Sequence, residues 1–161
     1  GVRIKESEVK ALGIIVDADT DLAARWQAIT HRLSAAGYVG VPSDPDPTGT
    51  VIYPPNKSLL PQIGIWLMPD NCAPGILEDF LRFLVPEGDG LLAHAEASIS
   101  GIPMPRLFSD IKKPKALIHT WLAWQPEPGK PFGQALSAKY LDPHLPAGNV
   151  FARWLQRTFF E

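Results

Sequence analysis

The chain is short of cysteine. One in 161 residues, Cys72, excludes an internal disulfide and any zinc site built from cysteine pairs. A reducing, cytoplasmic setting fits that usage. Charge of one sign is also missing: 15 Lys and Arg face 17 Asp and Glu, a formal net charge of −2. Such a balance gives no overall attraction to nucleic acid, so contact there would need a local basic patch or bridging metal ions. No apolar run approaches the roughly 20 residues of a membrane span, and no basic segment leads into an apolar stretch as in a secretory signal. Because the sequence opens on Gly1 rather than Met, we expect a preceding segment. Neither common type of glycine-rich phosphate loop is present. Ser98, Ser100 and Ser109 lack a nucleophile-elbow context, and His31, His94, His119 and His144 share no metal-ligand spacing.

Hydrophobic residues at 45% and charged residues at 20% suit a soluble globular chain, and the length suits one domain, residues 1–161. Proline is in excess, with 17 residues, about twice the usual share of about 5%. Six of them, Pro42, Pro45, Pro47, Pro54, Pro55 and Pro61, rule out a regular helix between them. The spacing predicts one long loop over 42–62, with a short edge strand at Thr50–Tyr53. A loop of that length in a compact domain is functional or mobile.

Ala11–Asp17 (ALGIIVD) is a continuous apolar run rich in β-branched residues, and predicts a strand buried on both faces. Leu22, Trp26, Ile29, Leu33 and Ala36 then recur at helical spacing. Thr20 or Asp21 would cap that helix and Gly37 would end it. Tyr38–Val41 is expected as a short strand and Ile63–Met68 as a second buried one. Helices are predicted after Pro74-Gly75, over Leu91–Ile99, over Lys115–Trp124, within 132–140 and over about Val150–Phe160, with a loop at Pro103–Lys113. Alternating strands and helices of this kind predict an α/β fold with a small, mostly parallel sheet, helices on both faces and a helical C-terminal part. Ligands of such sheets bind beyond the carboxyl ends of the strands, and both strong strands here end in acid.

Asp17-Ala18-Asp19-Thr20-Asp21 is the motif that could carry chemistry. Side chains two apart on extended backbone point the same way, so Asp17 and Asp19 would present paired carboxylates. Paired carboxylates repel unless neutralised, and Mg²⁺ is suited to them: it takes one or two carboxylates and leaves positions for water and phosphate oxygens. The same residues would also serve simply to end a strand and cap a helix. The second acidic group is Asp70, at the next strand tip and expected at the same sheet edge as Asp17, with Glu78 and Asp79 one turn into the following helix, where Asp79 is read as favourable to the helix dipole. Lys115 is either a phosphate contact or transition-state cation, or part of a solvated basic face with Lys112 and Lys113. Trp66, Trp121, Trp124 and Trp154 fit core spacing, and only an exposed one could stack on a base.

Three families of DxDxD can be weighed. An EF-hand loop requires Gly and Glu where this chain has Leu22 and Ala28, so that reading fails. Haloacid-dehalogenase-like phosphatases are similar in DADTDL, with Asp17 as nucleophile and Asp19 as acid/base, but Thr20 and Asp21 stand where Gly and Thr belong. The third is Toprim. GIIVDADTDLAARW, WLMPDN with a Gly and EDF behind it, KALIHTWLAWQ and FARWLQRTF together resemble, from about residue 11 to 160, a bacterial Toprim-like family, itself uncharacterised, related to the Toprim domains of OLD-type nucleases. The resemblance implies a Toprim-like (Rossmann-like) fold and Mg²⁺- or Mn²⁺-dependent phosphodiester chemistry on DNA or RNA. It also implies Asp17 and Asp19 as catalytic residues, to which the functional reading of Lys115 adds a third, and Asp17, Asp19, Asp21, Asp70 and Glu78 as metal ligands. The Toprim pattern places Glu-Gly on an earlier strand. Glu6 and Glu8 lie in GVRIKESEVK, without the apolar lead-in or the Gly, so that strand lies upstream or the acid set is incomplete. A non-catalytic binding or regulatory module of the same fold and a phosphatase acting through Asp17 are the alternatives.

Overall fold

The computed structural model describes residues 9–56 and 58–161; Glu6 and Glu8 lie outside them. The chain forms two compact units, one of residues up to Gly75 with Val150–Glu161, the other of Ile76–Asn149.

The first unit holds the sheet. Its strands are β1 (Ala11–Asp17), β2 (Thr50–Ile52) and β3 (Gln62–Met68), in the order β1-β3-β2. β1 pairs with β3 in parallel, Ala11 opposite Gln62 through Asp17 opposite Met68. β2 pairs with β3 antiparallel. The fold class is therefore α/β, but the sheet is mixed, not mostly parallel. The reason lies in the connections: a parallel pair needs a long crossover, which helix α1 (Leu22–Ala35) helps supply, whereas residues 53–61 between β2 and β3 are too few for one.

Helices cover both faces of the sheet within this unit. On one face, Trp26 and Leu33 of α1 pack with Ile63, Ile65 and Leu67. On the other, helix α6 (Pro146–Phe159) brings Phe151 and Trp154 against Trp66, with ring centroids 5.0 and 5.6 Å away. The two-residue alternation along β3 divides Ile63, Ile65 and Leu67 from Gly64 and Trp66. Gly64 allows the close approach of α6: a Cβ there would lie 2.8 Å from Thr158 Cβ and nearer still to its hydroxyl.

Two other expectations give way. β1 is not buried on both faces; it is at an edge among the described strands, and Ile15 is 47% exposed. Tyr38–Val41 is not a strand. Gly37, at φ 95°, ends the helix, and the Tyr38 N–H is bound to Leu33 O. The Tyr38 hydroxyl donates to Pro61 O at 2.7 Å, turning the ring into the core instead of extending the chain.

The second unit is helical: α2 (Leu77–Arg82), α3 (Gly90–Ser100), α4 (Lys113–Ala123), α5 (Phe132–Ser137) and the first turn of α6. The expected loop at 103–113 contains a 3-10 turn, Asp110–Lys112, that runs into α4. α4 packs against α2 and α3, burying Leu117, Ile118, Trp121 and Leu122 on α4 and Ala95 and Ile99 on α3. Asp89 ties two of these helices: its Oδ1 caps α3 at Leu92 N, 2.7 Å, and accepts from Trp121 Nε1 at 3.2 Å.

Candidate functional site

The parallel β1–β3 register places Asp17, at the end of β1, opposite Met68, at the end of β3, with Asp70 two residues beyond. Both acids thus stand at one edge of one sheet, at carboxyl ends of neighbouring strands, where ligands of parallel sheets bind. Chain direction explains it: two strands that enter the sheet from the same side leave it on the same side.

The remaining acids turn elsewhere. The alternation expected of residues 17, 19 and 21 stops at Asp17, because Asp19 has left extended backbone for φ 56°. Its N–H donates to Gly75 O at 2.9 Å, and its carboxylate pairs with Arg25 on the first turns of α1. Asp21 is the N-cap of α1, with Oδ1 accepting from Ala24 N at 2.9 Å. Asp70 Oδ1 accepts from Cys72 N at 3.0 Å and Ala73 N at 2.9 Å, an Asx turn that reverses the chain after β3. In the second unit, Glu78 is 7% exposed. Its Oε1 lies 3.7 Å from Lys115 Nζ. Asp79 closes the start of α2, its carboxylate accepting from Ile76 N at 3.0 Å. Among the described residues, no group of three or more His, Cys, Asp or Glu is gathered to hold a metal ion.

Trp26, Trp66, Trp121 and Trp154 are buried. Trp124 is the half-exposed one, its ring 5.2 Å from that of His94. His119 is exposed and lies against Phe132, ring to ring at 5.3 Å.

The family described as "Protein of unknown function (DUF3226)" matches residues 1–160. The chain belongs to this family. Neither a curated protein nor a solved structure matches it.

Two residues of this DUF3226 chain join the strand-end region without having been singled out from sequence. Asn71, at φ 61° and 2% exposed, accepts from Leu67 N at 2.8 Å through Oδ1, while its own N–H donates to Leu67 O. Its Nδ2 is buried without a hydrogen-bond partner among the described residues. The readable signal was Asn in a Pro-Asp-Asn turn, since Asn tolerates left-handed backbone. Asp46, from the proline-rich loop, is the other. Hydrogen bonds from the Thr48 side chain and N–H hold its carboxyl below the usual range, with Arg157 adding to the effect. Nothing local in the sequence showed that its charge would reach Cys72, whose thiol is pushed up by burial first and then by Asp70 and Asp46. No described helix is long and apolar enough to cross a membrane.

Proposed function

We propose that this chain is a non-catalytic binding or regulatory module of Toprim-like (Rossmann-like) fold. The observation that carries this reading is the engagement of the acidic motif within its own unit. Asp19 meets Arg25, Asp21 caps α1, and Asp70 holds two backbone N–H groups. An ion would have to displace these partners. A metal pair acting on a phosphodiester needs several oxygen ligands for each ion, and the described carboxylates do not gather in that number. The donor set among the described residues does not fit a two-metal centre.

A second reading keeps Mg²⁺- or Mn²⁺-dependent phosphodiester chemistry on DNA or RNA. The shared edge of Asp17 and Asp70 favours it, since Mg²⁺ is content with one or two carboxylates plus water and phosphate oxygens. Those two residues would hold the ion. Lys115, the expected phosphate contact, has its Nζ 3.7 Å from Glu78 Oε1 in the second unit.

The test is nicking of supercoiled plasmid and cleavage of single-stranded RNA by the full chain, with Mg²⁺ and with Mn²⁺, beside Asp17→Asn. The module reading expects no divalent-dependent cleavage above that of the variant. Cleavage that needs the metal and disappears in Asp17→Asn would overturn it in favour of the second reading. Hydrolysis of p-nitrophenyl phosphate with a trapped aspartyl-phosphate at Asp17 would select the phosphatase reading.

A further inference from the structure

The second unit contains a cleft of about 460 Å³, within the range of small-molecule sites. Glu78 lines it and is 93% buried by its 7% exposure. A carboxylate withdrawn from water needs charge-assisted hydrogen bonds to offset lost hydration. The nearest cation, Lys115 Nζ at 3.7 Å, lies beyond direct hydrogen-bond range. The Lys115 side chain is itself 60% exposed, so it can swing into water and leave the carboxylate open.

The other acids of the lining are already engaged. Asp79 accepts from Ile76 N, Glu96 pairs with Arg82, and Asp110 pairs with Arg106. The deeply buried charge of the lining, Glu78, is a carboxylate, which disfavours an anion beside it. A divalent ion is disfavoured too, since no three His, Cys, Asp or Glu side chains gather among the described residues. The rest of the wall is hydrocarbon from Ile99, Pro114, Leu117 and Ile118. One recessed carboxylate beside an apolar wall suits a ligand with one ammonium head and an aliphatic body.

We infer that this cleft binds a primary aliphatic amine, its ammonium on Glu78 and its carbon chain against Ile99, Leu117 and Ile118. Lys115, 3.7 Å from the same carboxylate, is an internal counterpart of the ligand's ammonium and competes with it. The site is independent of the strand-end carboxylates, so success or failure here leaves the proposed function untouched.

The experiment is methyl NMR of the full chain, titrated with 1,4-diaminobutane, n-butylamine and 1-butanol. Both amines should shift the methyl signals of Ile99, Leu117 and Ile118 saturably, and 1-butanol should not. Glu78→Gln should weaken amine binding about tenfold or more, the loss of one charge-assisted contact. Lys115→Met should tighten it by removing the competitor, and keeps the test decisive should Glu78→Gln fail to fold. No saturable methyl shift with either amine, equal binding of 1-butanol, full affinity in Glu78→Gln, or weaker binding in Lys115→Met would each overturn the proposal. Mg²⁺ producing the same methyl shifts at lower concentration would overturn it as well, in favour of a metal site.

Discussion

Thr158 shows how a single side chain can be both a necessity and a fault. Its hydroxyl is buried and lacks a hydrogen-bond partner among the described residues, while its bulk fills the space above Gly64. An unmade buried hydrogen bond costs about 1–3 kcal/mol. Thr158→Val keeps the shape and removes the polar atom, so thermal unfolding should show unchanged or raised stability. Gly64→Ala should do the reverse, destabilising by about 1–3 kcal/mol through overpacking. A stabilised Gly64→Ala would mean that α6 is free to move off the sheet. Cys72 offers a second test at this scale. Its side chain is on the surface, yet partial burial and the charges of Asp70 and Asp46 raise its pKa above the ordinary thiol value. A raised pKa means less thiolate at neutral pH, so alkylation by iodoacetamide should be slower than that of glutathione at neutral pH and should climb steeply into the alkaline range. Asp70→Asn, which removes one of the two charges, should speed it. A rate equal to that of glutathione at neutral pH would refute the shift.

Helix α1 is the element on which the acidic motif depends. It starts where Asp21 accepts from Ala24 N and is held on the sheet by Trp26 and Leu33. Trp26 Nε1 donates to Pro42 O at 3.2 Å, tying the start of the proline-rich loop to the same helix. Asp21→Ala should lower stability by about 1 kcal/mol, the usual value of an N-cap, measured by chemical unfolding. If Asp21 were chiefly a metal ligand, its loss would leave apo stability unchanged and abolish a Mg²⁺-induced rise in melting temperature. α6 fixes the opposite face through Trp154, whose Nε1 donates to Thr50 O at 3.3 Å. Gly49, at φ 89°, accommodates that ring: a Cβ there would come within 2.9 Å of Trp154 Cβ and closer to the indole. The proline-rich loop is thus anchored at Pro42, Gly49 and Thr50 by side chains from two helices.

At the scale of the whole chain, charge is the property that bears most on partners. The net charge of −2 gives no overall attraction to a polyanion, and Lys115 in the Lys112–Lys115 cluster faces Glu78. With chelator present, a labelled DNA duplex or single-stranded RNA should give no anisotropy change at low salt. Binding that weakens steeply with added salt would reveal a basic surface that the charge count conceals.

Much of the local structure was legible along the chain. Ala11–Asp17, the helix opening at Leu22 and the strand ending at Met68 appear where the apolar periodicity and a cap at Thr20 or Asp21 require them, the structure choosing Asp21. These signals act between residues a few positions apart, so neighbouring letters suffice to encode them. Asp17 and Asp70 were legible as strand-end acids for the same reason. That they share one edge was expected from the same two apolar runs, but their adjacency there was not legible, because it follows from residues 11–17 choosing residues 62–68 as partners. Nor was β1's place at the edge of the described sheet, since an apolar run reads alike in an edge and a central strand. Asp19 departed from its expected direction when a bridge to Gly75 took its backbone out of the strand. Glu78 was legible as an acid one turn into a helix. Its burial by Lys115 in a cleft of the second unit was not, because burial and charge pairing depend on contacts between segments distant in the chain.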